Sequence, residues 1–205
     1  MNDMSKNYSI RIATKEDFER LTPLYEANSA RLENICAEHF VKSKHDFSLF
    51  KLILAHSRAD ILIAESEGEC VGTVLVWQTE TPSYPNRRTH MFTYITDIII
   101  KDTENKAELF SLLLNEAKKW SCERGCEYIE ADLFVGDTEI SDLLLQFGFS
   151  PLMRAYSLKL ENTQKTREKD YSKLSFLIDC DSKGRVNEYC SMREIESECE
   201  CQEDD

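Results

Sequence analysis

The stretch that decides the fold of this chain is Asp97-Ile98-Ile99-Ile100-Lys101-Asp102. Its apolar part, residues 98–100, shows no alternation between polar and apolar side chains. An unbroken apolar run is typical of a strand that is covered on both faces. We therefore place a long central strand over residues 90–100, with a layer of structure on each side of it.

The segment that follows this strand is the clearest helix in the sequence. Its apolar residues recur at the spacing of one helical face. They are Phe110, Leu113, Leu114, Ala117 and Trp120. Gly125 stands where a helix commonly ends. The pattern predicts a helix over residues 107–123, directly after the central strand.

The segment before the central strand reads as a hairpin. Residues 60–65 and 70–79 have the apolar, β-branched composition of strands and flank Glu67-Gly68-Glu69. Glycine tolerates the positive φ that a tight turn requires. Further elements are a strand over 8–14, a helix beginning at Thr14, a helix over 46–56, a strand over 128–135, a helix over 138–147 and a strand over 149–160.

This element order predicts an α/β (α+β) fold with a mixed, mostly antiparallel central sheet flanked by helices. The sheet domain spans residues 8–160. Residues 161–205 form a polar C-terminal extension, with a candidate hairpin over 174–192 and an acidic tail over 194–205. That tail carries seven acidic residues and no basic one.

The composition restricts the classes of partner. The net charge of −13 repels phosphate backbones and anionic membranes and favours cationic partners, including amines. There is no basic stripe, so we expect no nucleic-acid ligand. No apolar run is long enough to span a membrane, and no signal-peptide core follows residues 1–7, so we expect a cytoplasmic protein without membrane attachment. A homodimer is one expectation for the oligomeric state.

The chain has eight cysteines. In a reducing cytosol they are expected to be free thiols. Cys122 and Cys126 are four positions apart, and Cys199 and Cys201 are two apart. Neither spacing forms the paired sets of a structural zinc site, so we expect no metal.

Three segments together carry a resemblance to a known family. Residues 64–74 form a strand-turn-strand with Gly68 and Gly72, residues 97–102 lead into an amphipathic helix, and Phe147-Gly148-Phe149 closes the last helix. In this order and spacing they resemble the GNAT superfamily of N-acetyltransferases over residues 8–160. The resemblance implies an acyl-CoA-dependent N-acyltransferase. It would transfer an acetyl group to a primary amine, on a small molecule or a protein, by direct attack in a ternary complex.

The resemblance also implies where acetyl-CoA would bind. The strand residues Ile98, Ile99 and Ile100 would hold the pantetheine arm, provided that the sheet opens beside them. The pyrophosphate would lie on the loop and first helical turn after the strand. Those positions are Asn105, Lys106, Ala107, Glu108, Leu109 and Phe110.

That loop departs from the family pattern. Asn105 stands where Arg or Gln is usual, and Glu108 and Phe110 stand where the family has small residues, usually glycine. A carboxylate facing a pyrophosphate costs on the order of several kcal/mol in a partly dehydrated site. Leu144 occupies the usual position of a general-acid tyrosine. A catalytically weak or inactive GNAT-like module with a binding or regulatory role is therefore the alternative.

Two residues are candidates for the proton transfers. Asp97 would act as the general base or orient a water, and its alternative role is a strand-end carboxylate in a hydrogen bond or ion pair. Tyr156 would replace the missing acid, and its alternative role is a half-buried strand aromatic. Further candidates for the acceptor cleft have equally ordinary alternatives. They are Glu65, His90, Tyr94, Thr96 and Glu130.

Overall fold

A computed structural model of the chain describes residues 8–82, 85–86, 88–102 and 105–159. The predicted central strand is present as β4 (Met91–Ile100). The other elements are β1 (Ser9–Ile12), a 3-10 turn (Lys15–Asp17), α1 (Phe18–Ile35), α2 (Phe47–Ala55), β2 (Ala59–Ser66), β3 (Glu69–Glu80), α3 (Lys106–Glu123), β5 (Tyr128–Ala131) and α4 (Thr138–Phe147). Every element predicted before residue 148 is present.

The described strands form one sheet in the order β1-β2-β3-β4-β5. The first three pairings are antiparallel, and only β4 and β5 run parallel. A mixed, mostly antiparallel sheet is therefore confirmed. The turn between β2 and β3 is formed by Glu67 and Gly68, which both have positive φ, at 52° and 82°. Two such residues in succession match the twist of a hairpin.

Two apolar cores cover the two faces of the sheet. The α3-side core combines α3 and α4 with Ile95 and Ile98 of β4. The α1-side core combines α1 and α2 with Ile99 of β4. Each buried isoleucine contributes about 1.5–3 kcal/mol relative to an exposed one. The isoleucine run is thus apolar throughout because β4 contributes side chains to both cores.

Two strand predictions near the C-terminal end of the sheet domain are wrong, the first in part and the second throughout its described residues. β5 ends at Ala131 rather than residue 135, and Val135 is 95% exposed. Residues 149–159 form neither helix nor strand. Alternating apolar residues form a strand only where a neighbouring strand accepts their backbone hydrogen bonds, and no described strand pairs with these residues.

The chain divides into one unit over residues 1–151 and a second over residues 152–205. All the helices and strands named above belong to the first unit. In the second unit, residues 152–159 are all exposed. The predicted extension over 161–205, its hairpin and its acidic tail lie outside the described residues. Within the described part of the chain, no helix combines the length and apolar content needed to cross a membrane.

Candidate active site

The sheet opens beside the second half of β4. β5 pairs with β4 only from Phe92 to Ile95, opposite Tyr128 to Ala131. From Asp97 to Ile100, β4 keeps its partner β3 but has no strand on its other side among the described residues. Backbone N–H and C=O groups along this edge are therefore free to bind an extended ligand. This is the open seam that a pantetheine arm requires.

A β-bulge marks the place where the seam begins. Leu75 of β3 is opposite Asp97, whereas Val76 is opposite Ile95, so Thr96 is an extra residue in β4. A bulge bends its strand and redirects the side chains that follow. As a result Ile95 and Ile98 both face the α3-side core, and Asp97 shares the opposite face with Ile99.

Asp97 is a half-buried carboxylate just beyond the bulge. It makes no hydrogen bond or ion pair with the residues that the structure describes. Burial raises its pKa above the ordinary carboxyl range. Tyr25 of α1 lies close enough for the charge of Asp97 to raise its pKa, in addition to burial, which is the larger cause. A desolvated carboxylate without a partner is suited to accept a proton from a ligand.

The open edge of β4 forms the floor of a cleft of about 730 Å³. Its walls come from α1 and from the N-terminal ends of α3 and α4. The residues that line it include Pro23, Leu24, Ala27, Asn28, Ile98, Ile99, Ile100, Asp102 and Ile140. An elongated ligand could therefore lie along the strand edge, between the helices.

The predicted cofactor residues fall into three groups. Ile98, Ile99, Ile100 and Lys106 line the cleft. Asn105, directly before α3, and Ala107 and Glu108, on its first turn, do not line the cleft, and Ala107 and Glu108 are exposed. Leu109 and Phe110 are buried in the α3-side core, so their side chains pack against the sheet instead.

Four basic residues also line the cleft, and each is held in an ion pair. The pairs are Arg20–Glu65 at 2.6 Å, Arg31–Asp137 at 2.8 Å, Lys101–Glu69 at 2.9 Å and Lys106–Glu139 at 2.6 Å. These cations balance the acidic residues at the cleft. They are also the groups that could meet a phosphate.

Glu65 belongs to an ion-pair network rather than to an open acceptor pocket. Arg11 donates to both Glu65 and Asp17, at 2.7–3.0 Å, and Arg20 contacts the same two carboxylates. The Arg11 guanidinium holds the pKa of Asp17 well below its usual range. Asp17, Glu65 and Cys70 have ligand atoms within 4.8 Å of one another. Because arginines occupy both carboxylates, the cluster is already neutralised.

The remaining candidates, like Asp97, are not among the residues that line the cleft. The Tyr94 hydroxyl donates to Asp132 at 2.6 Å, and its pKa is raised to about 12, mainly by burial. The His90 ring is 3.0 Å from the Thr81 hydroxyl and 4.0 Å from Glu130. Thr96 is exposed at the bulge.

The positions considered for a general acid have different surroundings. Tyr156 is 88% exposed, so the expectation of a half-buried strand aromatic is wrong. Leu144, at the family's tyrosine position, is buried in the α3-side core.

Sequence reasoning missed the residues that α1 and α4 bring to the site. Tyr25 and Arg31 read as ordinary positions of an amphipathic helix. Asp137, directly before α4, resembles a helix cap, yet its carboxylate is buried and pairs with Arg31. Only tertiary packing unites residues so far apart in the sequence, so no local signal could have identified them.

The fold and the open seam define the class of protein, an α/β domain whose sheet parts beside its central strand. The family model described as "Acetyltransferase (GNAT) family" matches residues 18–149. The chain therefore belongs to the GNAT acetyltransferase family. No curated protein sequence matches it significantly.

Solved structures share this fold at low sequence identity. A point mutant of the BH1408 protein from Bacillus halodurans is 17% identical, with a TM-score of 0.70 over 75% of this chain and 99% of that chain. The aminoglycoside N-acetyltransferase AAC(6')-Iy in complex with CoA is 14% identical, with a TM-score of 0.60 over 78% and 99%. Aminoglycoside 6'-N-acetyltransferase AAC(6')-IG from Acinetobacter haemolyticus is 12% identical, with a TM-score of 0.56 over 76% and 99%.

Proposed function

We propose that the chain is an acetyl-CoA-dependent N-acyltransferase that acetylates a primary amine by direct attack. The observation that carries this proposal is the loss of the β5 partner after Ile95, followed by strand residues Ile98, Ile99 and Ile100 that line the cleft. Membership of the GNAT family supports acyl transfer from CoA. The aminoglycoside acetyltransferases among the structural neighbours support an amine acceptor.

The cleft suits acetyl-CoA as a co-substrate in shape and in charge. Free backbone groups of residues 98–100 can pair with the amide groups of the pantetheine arm. Lys101 and Lys106 lie on the cleft wall beyond the strand and can meet the phosphates. Glu108 is exposed and does not line the cleft, so its side chain does not fill the space that a ligand would occupy.

The reaction requires one proton acceptor near the thioester. The amine nitrogen forms a bond to the carbonyl carbon, the carbon–sulfur bond breaks, and the nitrogen loses a proton. Asp97 has no hydrogen-bond partner in the described residues and has a raised pKa. We assign it to take that proton through a water, because it precedes the cleft-lining residue Ile98 and does not itself line the cleft. An acid for the leaving thiolate is not assigned, because Leu144 is apolar and Tyr156 belongs to the other unit.

A binding or regulatory role without turnover is the second candidate. It is favoured by Leu144, which is buried where the family has a tyrosine, and by Phe110, which is buried where the family has a small residue. Such a module would keep the cleft but would have lost efficient release of the product thiol.

Calorimetric titration with acetyl-CoA, followed by a thiol-release assay with a panel of primary amines, separates these roles. We expect binding by the wild type, and several-fold tighter binding by Glu108→Gly, because one like charge near the phosphates is removed. Amine-dependent thiol release would establish the transferase. Binding without release would favour the second role, and no binding by either protein up to millimolar concentrations would exclude the transferase.

A further inference from the structure

The ion pair between Lys106 and Glu139 joins the first turns of two helices across the wall of the cleft. Lys106 begins α3 and Glu139 lies in the first turn of α4, and both line the cleft. Their Nζ and Oε1 atoms are 2.6 Å apart. The Lys106 side chain is only 17% exposed, whereas Glu139 is 56% exposed. The Lys106 side chain is thus mostly buried in the cleft wall, and the more exposed Glu139 contacts it from the solvent side.

The position of this carboxylate is one that suits an anion. The first-turn N–H groups of a helix have no intrahelical acceptors, and the N-terminal end of a helix attracts negative charge. Neither α3 nor α4 has a side-chain cap that accepts from its first turn. Glu139 therefore brings negative charge to a place where two helix N-termini and a partly buried lysine all favour it.

We propose that Glu139 is a stand-in for a phosphate of the co-substrate, and that a phosphate group displaces it from Lys106 on binding. This inference rests on the proposed function. The chain lacks the glycines that usually bring a pyrophosphate to the backbone, because Glu108 and Phe110 occupy those positions. A side-chain cation in the cleft would then supply the main phosphate contact.

Differences in charge and in exposure favour the replacement of the Glu139 carboxylate by a phosphate. A phosphate carries more negative charge than a carboxylate and offers more acceptor oxygens to Lys106. The more exposed Glu139 can turn into water, where its charge is well solvated. A ligand without phosphate has nothing to exchange for Glu139, so the pair would stay closed and its binding would not depend on either residue.

Calorimetry with two ligands on four proteins tests the exchange. The ligands are acetyl-CoA and S-acetylpantetheine, which lacks the phosphates. The proteins are the wild type, Glu139→Gln, Lys106→Gln and the control Glu116→Gln. The control loses the same charge from Lys119–Glu116, an ion pair of 3.3 Å on the surface of α3.

We expect Glu139→Gln to bind acetyl-CoA about three- to tenfold tighter than the wild type, because the competing anion is gone, and Lys106→Gln to bind it about tenfold more weakly. Binding of S-acetylpantetheine should be the same in all four proteins, and Glu116→Gln should match the wild type. Melting curves will confirm that each variant is folded.

The outcomes separate this inference from the function on which it rests. Equal affinity of the wild type and Glu139→Gln for acetyl-CoA would overturn the inference and leave the proposed function in place. So would a gain that S-acetylpantetheine shares, because the effect would then not concern phosphate. If none of the four proteins bound acetyl-CoA, the proposed function would fail, and the inference with it.

Discussion

The two halves of β4 are one continuous strand in two different environments. Residues 92–95 have hydrogen-bonding strands on both sides, and the Thr93 hydroxyl donates to Ser121 of α3 at 2.6 Å in a fully buried contact. Residues 97–100 have a described strand on one side only, and Ile98, Ile99 and Ile100 line the cleft. One extra residue, Thr96, separates them.

This difference shows how a strand can serve stability and binding at once. The first half satisfies its polar groups within the protein, as buried groups must. The second half keeps its side chains in both cores, so it remains anchored, while one edge of its backbone stays available. The site therefore does not need a flexible loop to present its hydrogen-bonding groups.

Deletion of Thr96 should have the largest effect on the difference between the two halves of β4. Asp97 and Ile99 would keep their present face, because the deletion removes only the extra residue, and β4 could continue straight into its second half. We expect a folded protein that binds acetyl-CoA roughly 10- to 100-fold more weakly, since each hydrogen bond lost at the strand edge costs about 0.5–1.5 kcal/mol. Melting curves and calorimetry measure the two results.

Thr96→Ala is the control for this deletion, because it retains the bulge and should bind acetyl-CoA as the wild type does. If the deleted protein bound acetyl-CoA normally, the bulge would have no part in opening the seam.

Replacing Asp97 should remove the chemistry of the second half without changing its shape. We expect Asp97→Asn to lower kcat by about 100-fold, the effect of losing a general base. In the wild type the rate should rise with pH through the raised pKa of Asp97, and the variant should lack that limb of the profile. The control is Asp132→Asn, which alters the carboxylate that accepts from Tyr94 beside the first half of β4. This variant should keep the rise in rate with pH.

Asp97→Asn should raise the stability of the folded protein at neutral pH, although it lowers kcat. Burial raises the pKa of Asp97 in the folded protein above its unfolded value, so the folded state binds the proton more tightly. Stability is therefore lost as pH rises from the ordinary carboxyl pKa through the raised one. At neutral pH Asp97→Asn should melt at a higher temperature than the wild type, and this advantage should disappear in acid. A lower melting temperature at neutral pH would show that Asp97 has a stabilising partner.

A smaller effect should follow from crowding the second half against α3. Gly72 of β3 pairs with Ile100, and a Cβ there would lie 2.9 Å from Cδ1 of Leu113 and 3.3 Å from the carbonyl oxygen of Ile99. We expect Gly72→Ala to cost about 1–3 kcal/mol of unfolding free energy, as overpacking does. Denaturant unfolding measures it.

The double variant with Leu113→Ala tests the cause of that loss. Removing the Leu113 side chain makes room for the new methyl group, so the two costs should not add. Strict additivity would show that the loss has another origin, such as the conformational freedom of glycine in the unfolded chain.

The sequence predicts the elements of this fold better than it predicts the site. The isoleucine run and the α3 stripe report burial directly, so β4 and α3 could be placed from periodicity. Thr96 has no property that marks it as a bulge, because a bulge depends on pairing with β3. The ion pairs of the cleft join α1 to the residues before α4, as Arg31 and Asp137 do, and only the folded chain brings them together. The predicted strand over 149–160 was wrong because alternation alone does not supply a pairing partner.

The ion pairs of α1 have a consequence for the timing of events at the cleft. Near its N-terminal end, Arg20 is joined to Asp17 and Glu65, and near its C-terminal end Arg31 is joined to Asp137. A helix held near both ends frays less than one held in the middle. The wall of the cleft is then ordered before any ligand arrives, and the loss of conformational entropy falls on folding rather than on binding.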